Sequence, residues 1–187
     1  AYDNTIFLPV DDFLRTDNHR IYAAGDACLP DKFNHTADAS ARMAIRNALQ
    51  SGHERLSELV IPWCTYTDPE IAHVGMYVRQ ALEHEIPVKT FTVPMHDVDR
   101  AITDDDEMGF VKIHVREGTD QILGATIVAR HAGEMINEIT LAMVAGVGLS
   151  TVARTIHSYG TQAEGIKLAA DAYERTRTAA ATGSRSE

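Results

Sequence analysis

The chain has 187 residues, 44% of them hydrophobic, which is enough for one large domain or for a small piece beside a full domain with its own core. A formal charge of −10 and an isoelectric point near 5.3, with no local basic cluster, argue against a nucleic-acid backbone as partner. The longest apolar stretches stop short of the ~20 residues a membrane-crossing helix needs, and no basic segment precedes an apolar one at the N-terminus, so a soluble, cytoplasmic protein is expected.

Taken in order, the chain starts abruptly, with a strand expected at Thr5–Leu8 and Asp11-Asp12 after it, as though cut from a larger protein. Ile21–Ala24 is a short apolar run ending in Gly25-Asp26, the pattern of a buried strand whose last residue leaves the sheet. Asp26 would then sit at a strand's carboxyl end, where α/β layers bind ligands. From Thr36 to Leu49 the sequence is rich in Ala and Arg, with Ala41, Ile45, Ala48 and Leu49 at helical spacing, and Asn34 or Thr36 could cap that helix. Its N-terminal N–H groups would face the carboxylate, a pairing suited to a ligand with a sugar-like chain at one end and an electron-accepting ring at the other. An ordinary strand-ending turn at Gly25-Asp26 is the alternative.

Beyond Ser51-Gly52 a polar connector runs to Glu58, and the composition then changes. Strands are expected over Val60–Thr67, Ile71–Gly75 and Val88–Val93, with a short helix at Tyr77–Glu85 presenting Val78, Ala81 and Leu82. Met95–Glu107 reads as a loop with a possible helical turn, closed by the acidic run 104–107, which is a solvated loop rather than a metal site. Phe110–Arg116 alternates, Gly118-Thr119-Asp120 turns, and Ile122–Ala129 completes a hairpin. Helices follow at His131–Ala145 and Thr161–Arg175. Between them Gly146-Val147-Gly148 lacks the strand and third glycine of a dinucleotide fingerprint and reads as a helix end, with Ser150 capping a short helix. Two cysteines, Cys28 and Cys64, form no short-spaced pair, and the histidines show no metal-ligand spacing. The whole reads as an α+β arrangement.

Several stretches, in this order and spacing, resemble the pyridine nucleotide–disulfide oxidoreductases, the family of dihydrolipoamide dehydrogenase, glutathione reductase and mercuric reductase. Leu14-Arg15-Thr16 with the segment 20–49 is similar to that family's second flavin-binding signature. Residues 67–75 (TDPEIAHVG), Arg100-Ala101, 109–112 (GFVK), 122–125 (ILGA) and 132–136 (AGEMI) are similar to its interface domain. The resemblance implies a C-terminal piece of an FAD-binding α/β domain over residues 1–56, a dimerisation domain with an antiparallel sheet flanked by helices over 57–178, and a disordered tail over 179–187. It also implies two nucleotide-binding regions upstream, FAD as cofactor and NAD(P)H as co-substrate. Gly25 and Asp26 would hold the flavin's ribitol chain, and the backbone of Phe33, Asn34, His35, Thr36 and Ala37 would face its pyrimidine edge.

The segment 157–164 (HSYGTQAE) resembles the family's His-x-His-Pro-Thr-x-x-Glu, which completes the active site of the partner subunit in a homodimer. Thr161 and Glu164 match, Tyr159 replaces the second His, and Gly160 replaces the Pro, which implies a looser or altered loop. Tyr159 and Glu164 are the expected catalytic residues. A tyrosine, with an ordinary pKa of about 10, is a poor base at neutral pH but can hydrogen-bond. Together with 164–170 (EGIKLAA), it points to mercuric-reductase-like members, although the tail lacks those enzymes' terminal cysteine pair. His157 reads as a helix C-terminal residue satisfied by the dipole, and interface packing is the other reading of Tyr159. The expected activity is reduction of a disulfide or metal ion, with a quinone or dithiol reductase or a non-catalytic dimerisation module as alternatives. The chain by itself is not expected to turn over.

Overall fold

The computed structural model describes residues 7–50 and 52–183. The chain divides into two compact units, Ala1–Leu59 and Val60–Glu187.

In the second unit the strongest alternation in the sequence makes the centre of a sheet. Strand β4 (Phe110–Arg116) pairs antiparallel with β5 (Ile122–Ala129), Ile113 facing Ala125 and Val111 facing Ile127. Strand β3 (Val88–Pro94) adds to β4, while β2 (Glu70–Gly75) adds to β5 and β1 (Trp63–Thr65) to β2, giving the antiparallel order β1-β2-β5-β4-β3. The expected strand 60–67 is thus only three residues long. One face of the sheet presents Ala72, Val74, Phe91, Val111, Ile113, Val115 and Ile127. Ile136, Ile139, Leu149, Val152, Ile166 and Ala170 close over it, so sheet and helices share a single core.

The sheet is tight where β2 meets β5. Gly75 lies opposite Gly124, and a Cβ on Gly124 would stand 2.4 Å from the carbonyl oxygen of Met76. Only hydrogen fits there.

Helix α2 (Val78–Glu83) buries Ala81 but leaves Leu82 65% exposed. The expected loop at 95–107 holds a 3₁₀ turn, Met95–Asp97, and a short helix α3 (Asp99–Thr103), with Met95, Val98 and Ala101 fully buried. Helix α4 (Ala132–Val144) has no cap from its own N-terminal flank; instead the carboxylate of Glu70 accepts the N–H of Gly133 at 2.9 Å. Helix α5 (Leu149–Arg154) begins one residue after Gly148, which takes the N-cap position expected for Ser150; Ser150 is buried and accepts from Arg177 instead. Helix α6 (Glu164–Gly183) runs through the first residues of the segment expected to be a tail, and 184–187 lie outside the described residues.

The first unit departs further from expectation. Residues 21–24 form no strand: a single antiparallel bridge joins Arg15 to Tyr22, and Ile21 is half exposed. Only part of the expected strand at 5–8 lies within the described residues, and residues 7–8 are not in a strand. Helix α1 (Asn34–Leu49) starts after Phe33 with no side-chain cap, so neither Asn34 nor Thr36 caps it. It buries Thr36, Ser40, Met43 and Ala44, whereas Ile45 and Leu49 point outward. Its core is Leu14, Cys28, Leu29, Met43 and Ala44. Leu14 is fully buried at φ 66, a backbone conformation uncommon for a branched side chain and held there by packing. The connector remains with this unit, since the N–H and hydroxyl of Ser57 both donate to the carboxylate of Asp12.

Candidate functional site

In the first unit a 3₁₀ turn, Gly25–Ala27, abuts the opening turn of α1. Gly25 adopts φ 62, donates its N–H to Ser40 Oγ at 2.9 Å, and approaches Ala37 so closely that a Cβ would stand 3.0 Å from that side chain. Glycine's conformational freedom is required here on both counts. Asp26, on this turn, is exposed. Around the start of α1, Phe33 and Ala37 are half-buried and Asn34 and His35 exposed, with the Phe33 and His35 rings stacked at 5.3 Å. The Oγ1 of Thr36 is buried without a hydrogen-bond partner. The fold therefore brings together an exposed carboxylate, an uncapped helix N-terminus and an orphaned hydroxyl, a donor and acceptor set that suits a polyhydroxylated ligand with a carbonyl-bearing ring.

In the second unit the loop from α5 to α6 is held at three points. His157 lies between two acceptors, Glu138 Oε1 at 2.8 Å from Nε2 and Thr155 O at 3.1 Å from Nδ1. It is thus tied to a carboxylate on α4 and does not depend on a helix dipole. The Tyr159 hydroxyl donates to Asp99 Oδ2 at 2.9 Å, and the next residue, Arg100, donates to the carbonyl oxygen of Gly160 at 3.2 Å while holding Asp104 with its Nε. Gly160 adopts φ 78. The loop is altered, in a sense proline could not follow with its φ locked near −65°.

Tyr159 is 79% exposed, and Glu164, the first residue of α6, has its Oε2 buried without a partner. Both line a cleft of about 360 Å³ with Arg154, His157, Lys167 and Asp171. The hydrogen bond to Asp99 and its charge, then burial and the charge of Glu164, push the pKa of Tyr159 up, so the hydroxyl keeps its proton. Nearby, Gln162 is 4% exposed with neither amide atom partnered.

Sequence reasoning paired Tyr159 with Glu164 and missed Asp99 and Glu138. Glu138 stands in a stretch recognisable as helix, three residues from Leu141 and facing His157, whereas nothing local distinguishes Asp99 from the other acids of its segment. Burial raises the thiol pKa of both Cys28 and Cys64, so neither is primed as a thiolate. Among the described residues no group of three or more His, Cys, Asp or Glu could hold a metal ion, and no helix is long and apolar enough to cross a membrane.

Residues 61–170 match the dimerisation domain of pyridine nucleotide-disulphide oxidoreductases. The chain is 41% identical over 165 residues to a mercuric reductase of Streptomyces lividans, covering 88% of this chain and 35% of that protein. It is 35% identical over 158 residues to a dihydrolipoyl dehydrogenase of Chlamydia trachomatis, covering 84% and 34% respectively. Among solved structures, LpdA from Mycobacterium tuberculosis superimposes with a TM-score of 0.81 at 30% identity, covering 89% of this chain and 36% of that one. The HOCl-induced flavoprotein disulfide reductase RclA of Escherichia coli, as a Cu(II) complex, does so with a TM-score of 0.78 at 26% identity, covering 87% and 37%. The chain thus spans about a third of the length of these relatives.

Proposed function

This chain belongs to the pyridine nucleotide-disulphide oxidoreductases through their dimerisation domain, and from that premise we propose that it supplies the subunit interface and half of the active site of an FAD-dependent, NAD(P)H-linked reductase. The substrate class is a soft metal ion or a disulfide, with the mercuric reductases as the nearest analogy among the relatives described above. The observation that carries this reading is that Tyr159 and Glu164 line one cleft. Glu164 offers a buried carboxylate oxygen with no partner, Tyr159 offers an exposed hydroxyl, and the loop bearing Tyr159 is pinned on both sides. A site left open in this way is suited to completion by a second subunit. Exposed apolar side chains supply the means: Leu141 and Val144 on α4 are 68% and 66% exposed and Ile156 is 96% exposed, next to the His157–Glu138 contact.

Gly25, Asp26 and the backbone from Phe33 to Ala37 would hold FAD, which supplies hydride acceptance from NAD(P)H and electron delivery to a redox disulfide. Asp26 would accept from ribitol hydroxyls, and the N-terminus of α1 would donate to the ring. Tyr159 would contact the substrate or the reduced thiols as a neutral phenol, and Glu164 would accept a hydrogen bond from a proton-bearing group beside it. Neither requires a thiolate from Cys28 or Cys64.

Two measurements test this. Native mass spectrometry of the chain with FAD is expected to show a dimer; flavin on that dimer would mean that the Asp26 segment is preformed, and a monomer at micromolar concentration would remove the two-subunit site. In the full-length enzyme, Tyr159→Phe is expected to lower kcat at least tenfold with Hg(II) or a disulfide while NAD(P)H still reduces the flavin; an unchanged kcat would remove Tyr159 from the site.

A further inference from the structure

Tyr159 reaches into solvent from a loop with no regular structure of its own, and its hydroxyl nevertheless makes a defined 2.9 Å hydrogen bond to Asp99 Oδ2, sixty residues earlier in the chain. Asp99 opens α3, whose Met95–Val98 approach is anchored by two fully buried side chains, Met95 and Val98. The following residue, Arg100, holds Gly160, so two consecutive exposed residues of α3, a helix anchored by the buried Ala101, grip two consecutive residues of the loop. Asp99 accepts and Tyr159 donates. We propose that Asp99 is the positioning residue of Tyr159: it accepts the hydroxyl's hydrogen bond and leaves the oxygen lone pairs as the group offered to the site, so that Tyr159 acts there as an acceptor. This rests on the reading of Tyr159 as a site residue given above.

The consequence is selectivity of a chemical kind. A phenol whose hydrogen is already engaged cannot donate to an anion, and the Asp99 and Glu164 carboxylates beside it repel one. It accepts from a thiol S–H or faces a cation without conflict. The charged and titratable groups around Tyr159 are Asp99 and Arg100 on α3, Asp104 just after it, Arg154 at the end of α5, His157 in the loop, and Glu164, Lys167 and Asp171 on α6. Of these, Asp99 alone is hydrogen-bonded to the hydroxyl, and it is the largest influence holding the phenol protonated.

The test uses this chain, labelled with tyrosine carrying ¹³C at Cζ and titrated by NMR, with the Tyr159 signal identified by its loss in Tyr159→Phe. In Asp99→Asn the Tyr159 midpoint is expected to fall, and in Asp99→Glu to stay near that of the parent. Asp97→Asn, which removes a like charge two residues away that does not touch the hydroxyl, is expected to leave the midpoint in place. Equal midpoints in the parent and Asp99→Asn would overturn the proposal, as would equal falls in Asp97→Asn and Asp99→Asn. Because no turnover is involved, this result stands apart from the kcat measurement on Tyr159→Phe, and either can fail without the other.

Discussion

His114 offers a sharp test of the sheet's buried polar face. It lies on β4, 4% exposed, with Nδ1 2.8 Å from the hydroxyl of Thr90 on the neighbouring strand. Burial, helped by the charges of Lys112 and His73, pushes its pKa down from 6.5 to about 4. The folded chain therefore keeps the ring neutral through a range in which an unfolded chain would protonate it. The contribution to stability is complete above pH 6.5 and is lost as pH falls from 6.5 to about 4, because the unfolded state binds the extra proton in that window. Worked at 1.36 kcal/mol per unit, the loss between pH 7 and pH 5 is about 2 kcal/mol, approaching about 3 kcal/mol below pH 4. Urea denaturation at a series of pH values should show it in the parent and not in His114→Asn, whose amide keeps a partner for Thr90 but does not titrate. His73, also pushed down by burial, remains in both proteins, so the comparison isolates His114 together with its coupling to His73. The two should converge by about 2 kcal/mol as the pH is lowered from 7 to 5. Parallel curves would mean that the His114 ring takes up its proton without leaving the fold, and the reasoning fails.

Gly124→Ala places a methyl group against the backbone of Met76 and Val74, atoms that cannot rotate away, and should cost about 3 kcal/mol by denaturant titration or prevent recovery of folded protein. Glu70→Ala removes the carboxylate that accepts the N–H of Gly133 at the start of α4 and should cost about 1 kcal/mol, with the loss seen as faster amide exchange at Gly133 and its neighbours.

What the sequence made legible is what period and turn chemistry control. Val111, Ile113 and Val115 alternate so regularly that both strands of the β4–β5 hairpin have the expected ends, Phe110–Arg116 and Ile122–Ala129. Helix α4 likewise follows from Ile136 and Ile139, which are buried at 2% and 0% exposure. The first unit was harder for a physical reason. Ile21–Ala24 has the composition of a buried strand, but strand pairing needs a neighbour, and the described residues give that segment only the Arg15–Tyr22 bridge. In α1 the apolar positions chosen from spacing were Ala41, Ile45, Ala48 and Leu49. The buried stripe instead runs through Thr36, Ser40, Met43 and Ala44, because Ser40 must meet Gly25 and the small side chains allow that approach.

The loop carrying Tyr159 shows where local pattern ends and tertiary placement begins. From the motif, glycine in place of proline implied a looser or altered loop, and the loop is altered. The glycine's φ of 78 is one that proline cannot adopt, and with that bend in place Tyr159 and Gly160 meet Asp99 and Arg100 while His157 meets Glu138. Each bond is modest alone, but three of them in four residues fix a segment whose one largely buried side chain is His157. Asp99 could not be read as a partner because its meaning depends on two separations at once: sixty residues of chain to Tyr159, and one residue to Arg100. The second makes the first possible, since the helix turn that aims Arg100 at Gly160 also sets Asp99 beside the preceding side chain. The glycine substitution, the tyrosine and the aspartate therefore act as one unit, and a change at any of the three should be felt at the hydroxyl of Tyr159.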